Sequence, residues 1–278
     1  MNPSGKAVAI LFSGGTDSTL TAAMLQENFE KVHLVTYDRF GFHATDNTAV
    51  QTQALKEKYG EDRFIHTFLN VDKLFQHVSY ENYFENIKKH GLFNLSTCGL
   101  CKLSMHVRTI KYCIDNDVYF VADGANQAMT MEPAQMKPVI DEMKRMYAHF
   151  GITYFNPVFE MDGPEDKDFI NKSNAKLLAR ESDYSVASFE NEKTPGFRLY
   201  KMGLAPSPNV KGSDYDKKRQ PRCFQFIIFN IFALKYFMAN KTYEEYTDLT
   251  TKFYSDKIKS MIKLIENRND KKVKEMLD

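Results

Sequence analysis

The sequence predicts a doubly wound α/β fold: a mostly parallel sheet with helices on both faces, followed by a helical C-terminal extension. Three observations carry that expectation. Short apolar runs alternate with longer stretches of helical spacing through the first half of the chain. The first run, residues 7–12, ends at a glycine pair and passes at once into a helical pattern, the opening of a βαβ unit. A later run, residues 118–122, ends the same way at Asp123-Gly124-Ala125-Asn126. Strands that alternate with helices lie parallel and are covered on both faces.

In chain order, residues 7–12 (AVAILF) give the first strand and 19–25 the first helix. Residues 31–37 give a second strand, 45–59 a second helix and 63–69 a third strand. A helical region spans roughly 71–90, and 104–116 is helical and leads into the buried strand 118–122. Beyond this, 138–150 reads as a helix, 153–159 as an edge strand and 169–180 as a further helix. Residues 185–220, rich in Pro, Gly, Ser, Asn and charge, read as a long loop. The apolar stretch 224–238 reads as a buried helix, and 243–278 as one charged amphipathic helix or two. The expected organisation is an α/β domain over 1–184, a long loop over 185–222 and a helical extension over 223–278 that carries the last cysteine.

Composition narrows the function classes. With 43% apolar and 26% charged residues the chain is built to fold around a core. Lysine and arginine total 37 against 36 acidic residues, so no global positive field draws nucleic acid from a distance. The first residues lack the apolar region of a signal peptide, and 224–238 is too short to span a bilayer, so a cytoplasmic protein with no membrane partner is expected.

The most specific signal is Leu11-Phe12-Ser13-Gly14-Gly15-Thr16-Asp17-Ser18. Gly14 and Gly15 admit backbone conformations that let consecutive N–H groups face one anion, and the helix behind them adds its positive end. Ser13 and Ser18 offer hydroxyls to the same oxygens, and Asp17 is suited to a magnesium ion bridging phosphates. No Walker lysine motif and no Gly-x-Gly-x-x-Gly is present. Ser13 to Ser18 resembles the Ser-Gly-Gly-x-Asp-Ser motif of the PP-loop (N-type) ATP pyrophosphatase superfamily, with its adenine nucleotide alpha hydrolase-like fold. That resemblance implies cleavage of ATP to AMP and pyrophosphate, with AMP activating a carbonyl or amide oxygen. It also implies nucleotide contacts from Thr16, from Tyr37 and Asp38 at the end of the second strand, and from Gly124 and Asn126, which are similar to a Gly-x-Asn element.

Four cysteines, Cys98, Cys101, Cys113 and Cys223, argue for metal or redox chemistry before structural disulfides. Cys98-Gly-Leu-Cys101-Lys102 is a compact pair ahead of a helix, and Cys223 brought beside it makes a three-thiolate site. Three thiolates leave one iron of a [4Fe-4S] cluster open, whereas structural zinc takes four protein ligands. Zn2+ completed by His106 or His90, and a reversible disulfide in a persulfide relay, stay open beside the cluster. Cys113 fits an apolar helical pattern and reads as core. The pair with the distant third cysteine resembles the thiouridine and thiocytidine synthase branch. The resemblance implies sulfur insertion, with a sulfur donor as partner and catalytic roles for Asp17, Cys98, Cys101 and Lys102.

Several features point to no single role. Lys102 and Arg108 are candidates for phosphate or the adenylated intermediate. His33, His43, His66, His77 and His149 show no paired metal spacing. The run Lys211, Lys217, Lys218, Arg219 and Arg222 suits either a solvated loop or an RNA backbone. The substrate class is a small molecule or nucleobase, with tRNA kept open, and a homodimer is the default assembly. Two other readings remain: an ammonia-dependent amide or nitrile ligase similar to 7-cyano-7-deazaguanine synthase, with structural zinc, and a nucleotide-binding regulator without turnover.

Overall fold

The structure, a computed structural model, describes residues 6–81, 83–90, 97–127, 132–164, 186–187, 193–210, 213–223 and 242–278. The strands that place the site are, in chain order, β1 (Ala7–Leu11), β2 (Lys31–Asp38), β3 (Phe42–His43), β4 (Phe64–Asn70), β5 (Phe120–Asp123) and β6 (Thr153–Phe155). Five of them form one sheet in the order β4-β2-β1-β5-β6, and every neighbouring pair is parallel. The chain winds outward from β1 to one edge, returns, and winds to the other, so the strand order reverses between β1 and β5. In such sheets a crevice opens there, beyond the carboxyl ends of the strands.

The helices are α1 (Thr16–Leu25), α2 (Thr48–Tyr59), α3 (Asp72–Ser79), α4 (Tyr83–His90), α5 (Thr97–Asp115) and α6 (Lys137–His149). Alternate residues of the central strands face opposite ways, and each set meets its own helices. Val8, Ile10, Val32 and Leu34 pack with Leu20 and Leu25 of α1 and Leu55 of α2. Ala9, Leu11, Val35 and Tyr37 pack with Leu74 of α3, Val107 of α5 and Met143 of α6. The expected doubly wound α/β fold is therefore the observed one.

Three segments differ from their sequence reading. The region 71–90 is two helices, α3 and α4. Helix α5 begins at Thr97, so Cys98 and Cys101 lie within its first turns instead of ahead of it. A glycine is tolerated there because Tyr254 takes its side-chain space: a Cβ on Gly99 would lie 1.4 Å from the Tyr254 hydroxyl oxygen. Residues 185–220 are not one unstructured loop. Pro195–Lys201 is a helix, with proline in its first turn and the Thr194 hydroxyl accepting from the Phe197 N–H at 3.2 Å. Leu199, Leu204, Ala205 and Val210 then join the core of the α1 face.

The C-terminal residues form the helices Tyr243–Glu266 and Lys271–Leu277. The first opens on a capping box between Thr242 and Glu245, with bonds of 3.1 and 2.8 Å. Its Tyr246, Phe253, Tyr254, Ile258, Met261 and Ile265 are buried in the core of the α5 and α6 face. This helix thus completes the domain core. The helices read at 169–180 and 224–238 lie outside the described residues. No helix among the described residues is long and apolar enough to cross a membrane.

Candidate active site at the carboxyl edge of the sheet

The loop between β1 and α1 is drawn together by its own hydroxyls. Ser18 Oγ accepts from the Ser13 N–H at 3.3 Å and donates to the Gly15 carbonyl at 3.2 Å. The Ser13 and Ser18 hydroxyl oxygens are 3.2 Å apart, and Ser13 Oγ accepts from the Gly15 N–H at 3.4 Å. Gly14 has φ +69°, a left-handed conformation that favours glycine. Asp17 stands in the first turn of α1, where a carboxylate suits the helix end. Gly124, at the end of β5, abuts this turn: a Cβ there would lie 2.6 Å from the Ser18 nitrogen and 2.7 Å from the Asp17 carbonyl carbon. The missing side chain at Gly124 is what lets β5 close on the loop between β1 and α1.

The other nucleotide candidates separate. Tyr37 is buried in the core, its hydroxyl bonded to Thr109, and burial raises its phenol well above the usual range. The side chain that sequence order suggested for adenosine is thus a packing residue. Asp38 is exposed at the strand end, and its carbonyl accepts from the Val71 N–H at 3.0 Å. Asn126 is buried and donates to the Val158 and Met161 carbonyls at 3.2 and 3.3 Å, which fixes the segment after β6. Thr16 opens α1 and is half-buried.

The cysteine site lies at the same edge. Helix α5 runs back against the strands, so its first turns, with Cys98 and Cys101, stand at their carboxyl ends. Cys223 arrives on Arg222–Cys223, which pairs antiparallel with β3, Phe42 facing Cys223. Arg39, one residue past β2 and 4% exposed, joins them. Its Nε donates to Cys101 Sγ at 2.9 Å and a terminal nitrogen donates to Cys223 Sγ at 3.5 Å. The guanidinium stacks between the Phe42 and Phe75 rings, 4.4 Å from each centroid. All four cysteines are free thiols.

Burial pushes the Cys98 thiol well above the usual range, with Glu132, Cys223 and Cys101 adding to the effect. For Cys101 burial also dominates, but Arg39 opposes it and the thiol reaches only about 11. Burial raises the Glu132 carboxyl to about 7 against the pull of Lys102. Metal binding here must therefore displace thiol protons. Lys102 points to Asp123 at 3.2 Å. Burial pushes the fully buried Asp123 carboxyl up, but Lys102, His106 and hydrogen bonds from Ala125 and Asn156 outweigh it and hold it below the usual range. Lys102 thereby ties the cysteine helix to β5.

Among the described residues no group of three His, Cys, Asp or Glu side chains is arranged to hold a metal ion. Zinc–thiolate bonds of about 2.3 Å would bring thiolates within about 4 Å of one another, whereas cluster thiolates attach to separate irons. Cys101 is buried and Cys98 and Cys223 are half-buried, and the Arg39 guanidinium bonds to the Cys101 and Cys223 sulfurs. His106, a candidate fourth ligand, is buried with Nδ1 2.9 Å from the Tyr147 hydroxyl, and burial lowers it to about 3. His90 ends α4. Cys113 is in the core. Arg108 donates to the Asp278 carbonyl at 3.2 Å.

Two residues of the basic run contact the chain itself, and Lys218 and Arg222 are exposed. Arg219 donates to the Gln51 side chain at 3.1 Å and lies 3.6 Å over the Tyr215 ring. Lys217 is 3.6 Å from Asp214, and Lys211 lies outside the described residues. Of the histidines, His66 sits among Thr36, Thr48 and Thr52 at 2.9 to 3.5 Å, and burial lowers it to about 4. His33 Nδ1 lies 2.8 Å from the Tyr112 hydroxyl. His77 and His149 pair with Glu81 and Glu266, and His43 ends β3.

Sequence reasoning did not single out Arg39, Glu132 or Gln220. A basic residue just past the end of a buried parallel strand was the available signal for Arg39. For Glu132 and Gln220 the sequence carried none.

No protein-family model matches the sequence, and no curated protein does. Solved structures are similar to it, among them these two. One is described as a predicted subunit of tRNA methyltransferase from Methanocaldococcus jannaschii DSM: 18% identity over 79% of this chain and 96% of that one, TM-score 0.36. The other is the U34-tRNA thiolase NcsA from Methanococcus maripaludis with its [4Fe-4S] cluster: 12% identity over 94% of this chain and 74% of that one, TM-score 0.38. The Ser13–Ser18 loop keeps the resemblance to the PP-loop motif that its sequence carries, and the sheet order places it beside the crevice between β1 and β5.

Proposed function

We propose that the protein uses ATP to adenylate an oxygen of its substrate and then replaces that oxygen with sulfur at the cysteine site. The observation that carries this reading is that a phosphate loop and three gathered cysteines open on one sheet edge, spanned by the short segment 213–223. The loop N–H groups and the Ser13 and Ser18 hydroxyls bind phosphate, and the α1 terminus offsets its charge. Asp17 would hold magnesium, which neutralises charge on the phosphates. Cys98, Cys101 and Cys223 would hold a [4Fe-4S] cluster, which offers an iron with no protein ligand to a sulfide. The substrate oxygen attacks the α-phosphate and pyrophosphate leaves. Hydrosulfide from a sulfur donor then adds at the activated carbon, and AMP departs with the oxygen, with no net oxidation. Arg39 keeps counter-charge beside the sulfur site, and Lys102 with Asp123 holds that site against the nucleotide site. A nucleobase substrate, free or within tRNA, offers the carbonyl this chemistry needs.

Protein purified without oxygen tests the reading by absorbance, by iron, sulfide and zinc analysis, and by release of AMP from ATP. A brown protein with about four irons, lost in Cys98→Ala, Cys101→Ala and Cys223→Ala, together with AMP release lost in Asp17→Asn, is the expected result. Zinc or no metal with AMP release intact would overturn the sulfur step and favour the ligase. No nucleotide turnover would overturn adenylation.

A further inference from the structure

Between β2 and β3 the chain holds one ring out to water: Phe40 is 89% exposed. The Phe42 N–H donates to the Arg39 carbonyl at 2.9 Å, which closes a turn over 39–42, and Gly41 at φ +92° takes its third position, where a type II turn needs a left-handed residue. Both backbone polar groups of Phe40 are tied down. Its N–H donates to Asp72 Oδ1 at 2.7 Å, and its carbonyl accepts from the Arg39 guanidinium at 2.7 Å. Asp72 is itself set by Asn70, which accepts from the Asp72 N–H at 2.9 Å and donates to its carboxylate at 3.3 Å. The same guanidinium bonds to Cys101 and Cys223. A single exposed apolar side chain is ordinary on a protein surface. Here, however, the cation that fixes the backbone under the ring is the one that holds two thiols of the cysteine site.

We propose that Phe40 is the stacking surface on which the substrate's nucleobase is held beside the cysteines. The proposal rests on the sulfur-insertion reading above and names the residue that positions its substrate. An aromatic ring takes up a base by its face, and a ring carried on a rigid turn loses little freedom in doing so. Stacking occupies the face of the base and leaves its edge, which carries the carbonyl carbon, open to sulfur. Arg222 lies exposed on the strand that pairs with β3, opposite His43, and offers a cation to the phosphate of a nucleotide. That cation favours a nucleotide, free or within RNA, over a plain aromatic compound. Cys223 follows Arg222 directly, so ring, cation and thiol come from one turn and the ribbon it leads into.

The chain contains no tryptophan, so Phe40→Trp gives the full-length protein a single indole whose fluorescence reports stacking. The probes are decauridylate and uridine 5′-monophosphate. Ribose 5-phosphate is the control without a base, and Tyr119→Trp, exposed at the amino end of β5, is the control for position. Saturable quenching of Phe40→Trp is expected, with no response to ribose 5-phosphate and none in Tyr119→Trp. Quenching by decauridylate alone places the base within RNA; quenching by the monophosphate shows that a free nucleotide suffices. By anisotropy of labelled decauridylate, Phe40→Ala is expected to weaken binding by about 5- to 150-fold, the worth of one stacked base, and Phe40→Tyr to keep it. No quenching by either probe, equal quenching in Tyr119→Trp, or unchanged affinity in Phe40→Ala would overturn the proposal and leave the sulfur reading standing. Full quenching by α,β-methylene-ATP alone would assign the ring to ATP and overturn it as well. Stacking in a protein that holds no cluster and releases no AMP would remove the reading, and with it the place given to Phe40 in the reaction.

Discussion

Replacing Gly124 by alanine tests how β5 and the phosphate loop are joined. The added Cβ would stand 2.6 Å from the Ser18 nitrogen, 2.7 Å from the Asp17 carbonyl carbon and 2.9 Å from Asp17 Cβ. Two of these are backbone atoms of the first turn of α1, and the Ser13–Ser18 bonds hold that turn in place. No flexible side chain can swing away, so the junction must open by several tenths of an ångström. Overpacking of this kind costs about 2 kcal/mol. Displacing a phosphate cradle by up to 1 Å lowers catalysis by about 100-fold. Gly151→Ala is the control: its φ is +72° but nothing lies within 4 Å of the added carbon. Only the left-handed strain remains there, about 1 kcal/mol, with no path to the loop. Urea denaturation measures the stability of both variants, and isothermal titration with α,β-methylene-ATP measures affinity. The reasoning is refuted if Gly124→Ala keeps parental affinity, or if both variants weaken nucleotide binding alike.

Gly99→Ala gains about 1 kcal/mol of helix propensity but drives Tyr254 from its place, for a net loss of about 1 to 2 kcal/mol by urea midpoint. Because the Tyr254 hydroxyl is buried without a hydrogen-bond partner, Tyr254→Phe should be neutral or stabilising and should recover part of that loss. Lys102→Met leaves Asp123 buried without its cation and should cost about 3 kcal/mol, most of it recovered by adding Asp123→Asn; a single variant as stable as the parent would count against the pair. His106 is held neutral in the fold, at about 3 against its ordinary 6.5. The unfolded chain takes up a proton that the fold refuses, so stability is full above pH 6.5 and falls by about 3 kcal/mol towards pH 4. A urea midpoint series over that range should lose slope in His106→Gln, and an equal slope in both proteins would contradict it.

What was legible in the sequence was what local pattern dictates. The run AVAILF followed by Ser-Gly-Gly carries strand, turn and the start of a helix within a dozen residues, so the loop could be read directly. The edge strand near 153 was legible too, and β6 occupies it. What was hidden depends on distant residues. Helix α5 extends back through Gly99 only because Tyr254 fills the glycine's empty side, a contact no window of sequence contains. Tyr37 looked like a ligand contact by its place at a strand end, yet strand parity turns it into the core beside Val35. The Pro- and Gly-rich stretch around 195–210 looked like a free loop because its turns dominate its composition, while its few apolar residues are spent on the α1 face. Arg39 gained its meaning only when Cys101 and Cys223, far apart in the chain, met at its two nitrogens.

Tyr254, on the helix Tyr243–Glu266, has a consequence for how the protein is made. The turn that holds Cys98 and Cys101 leaves the ribosome roughly 150 residues before the tyrosine that packs into it, on the order of ten seconds or more at ordinary translation speed. Throughout that interval the nascent sheet lacks one wall of its core, and the two cysteines have neither Cys223 nor the aromatic buttress behind them. A group bound by all three cysteines would therefore be seated only after translation has passed Cys223 and the helix Tyr243–Glu266, a late step in biogenesis.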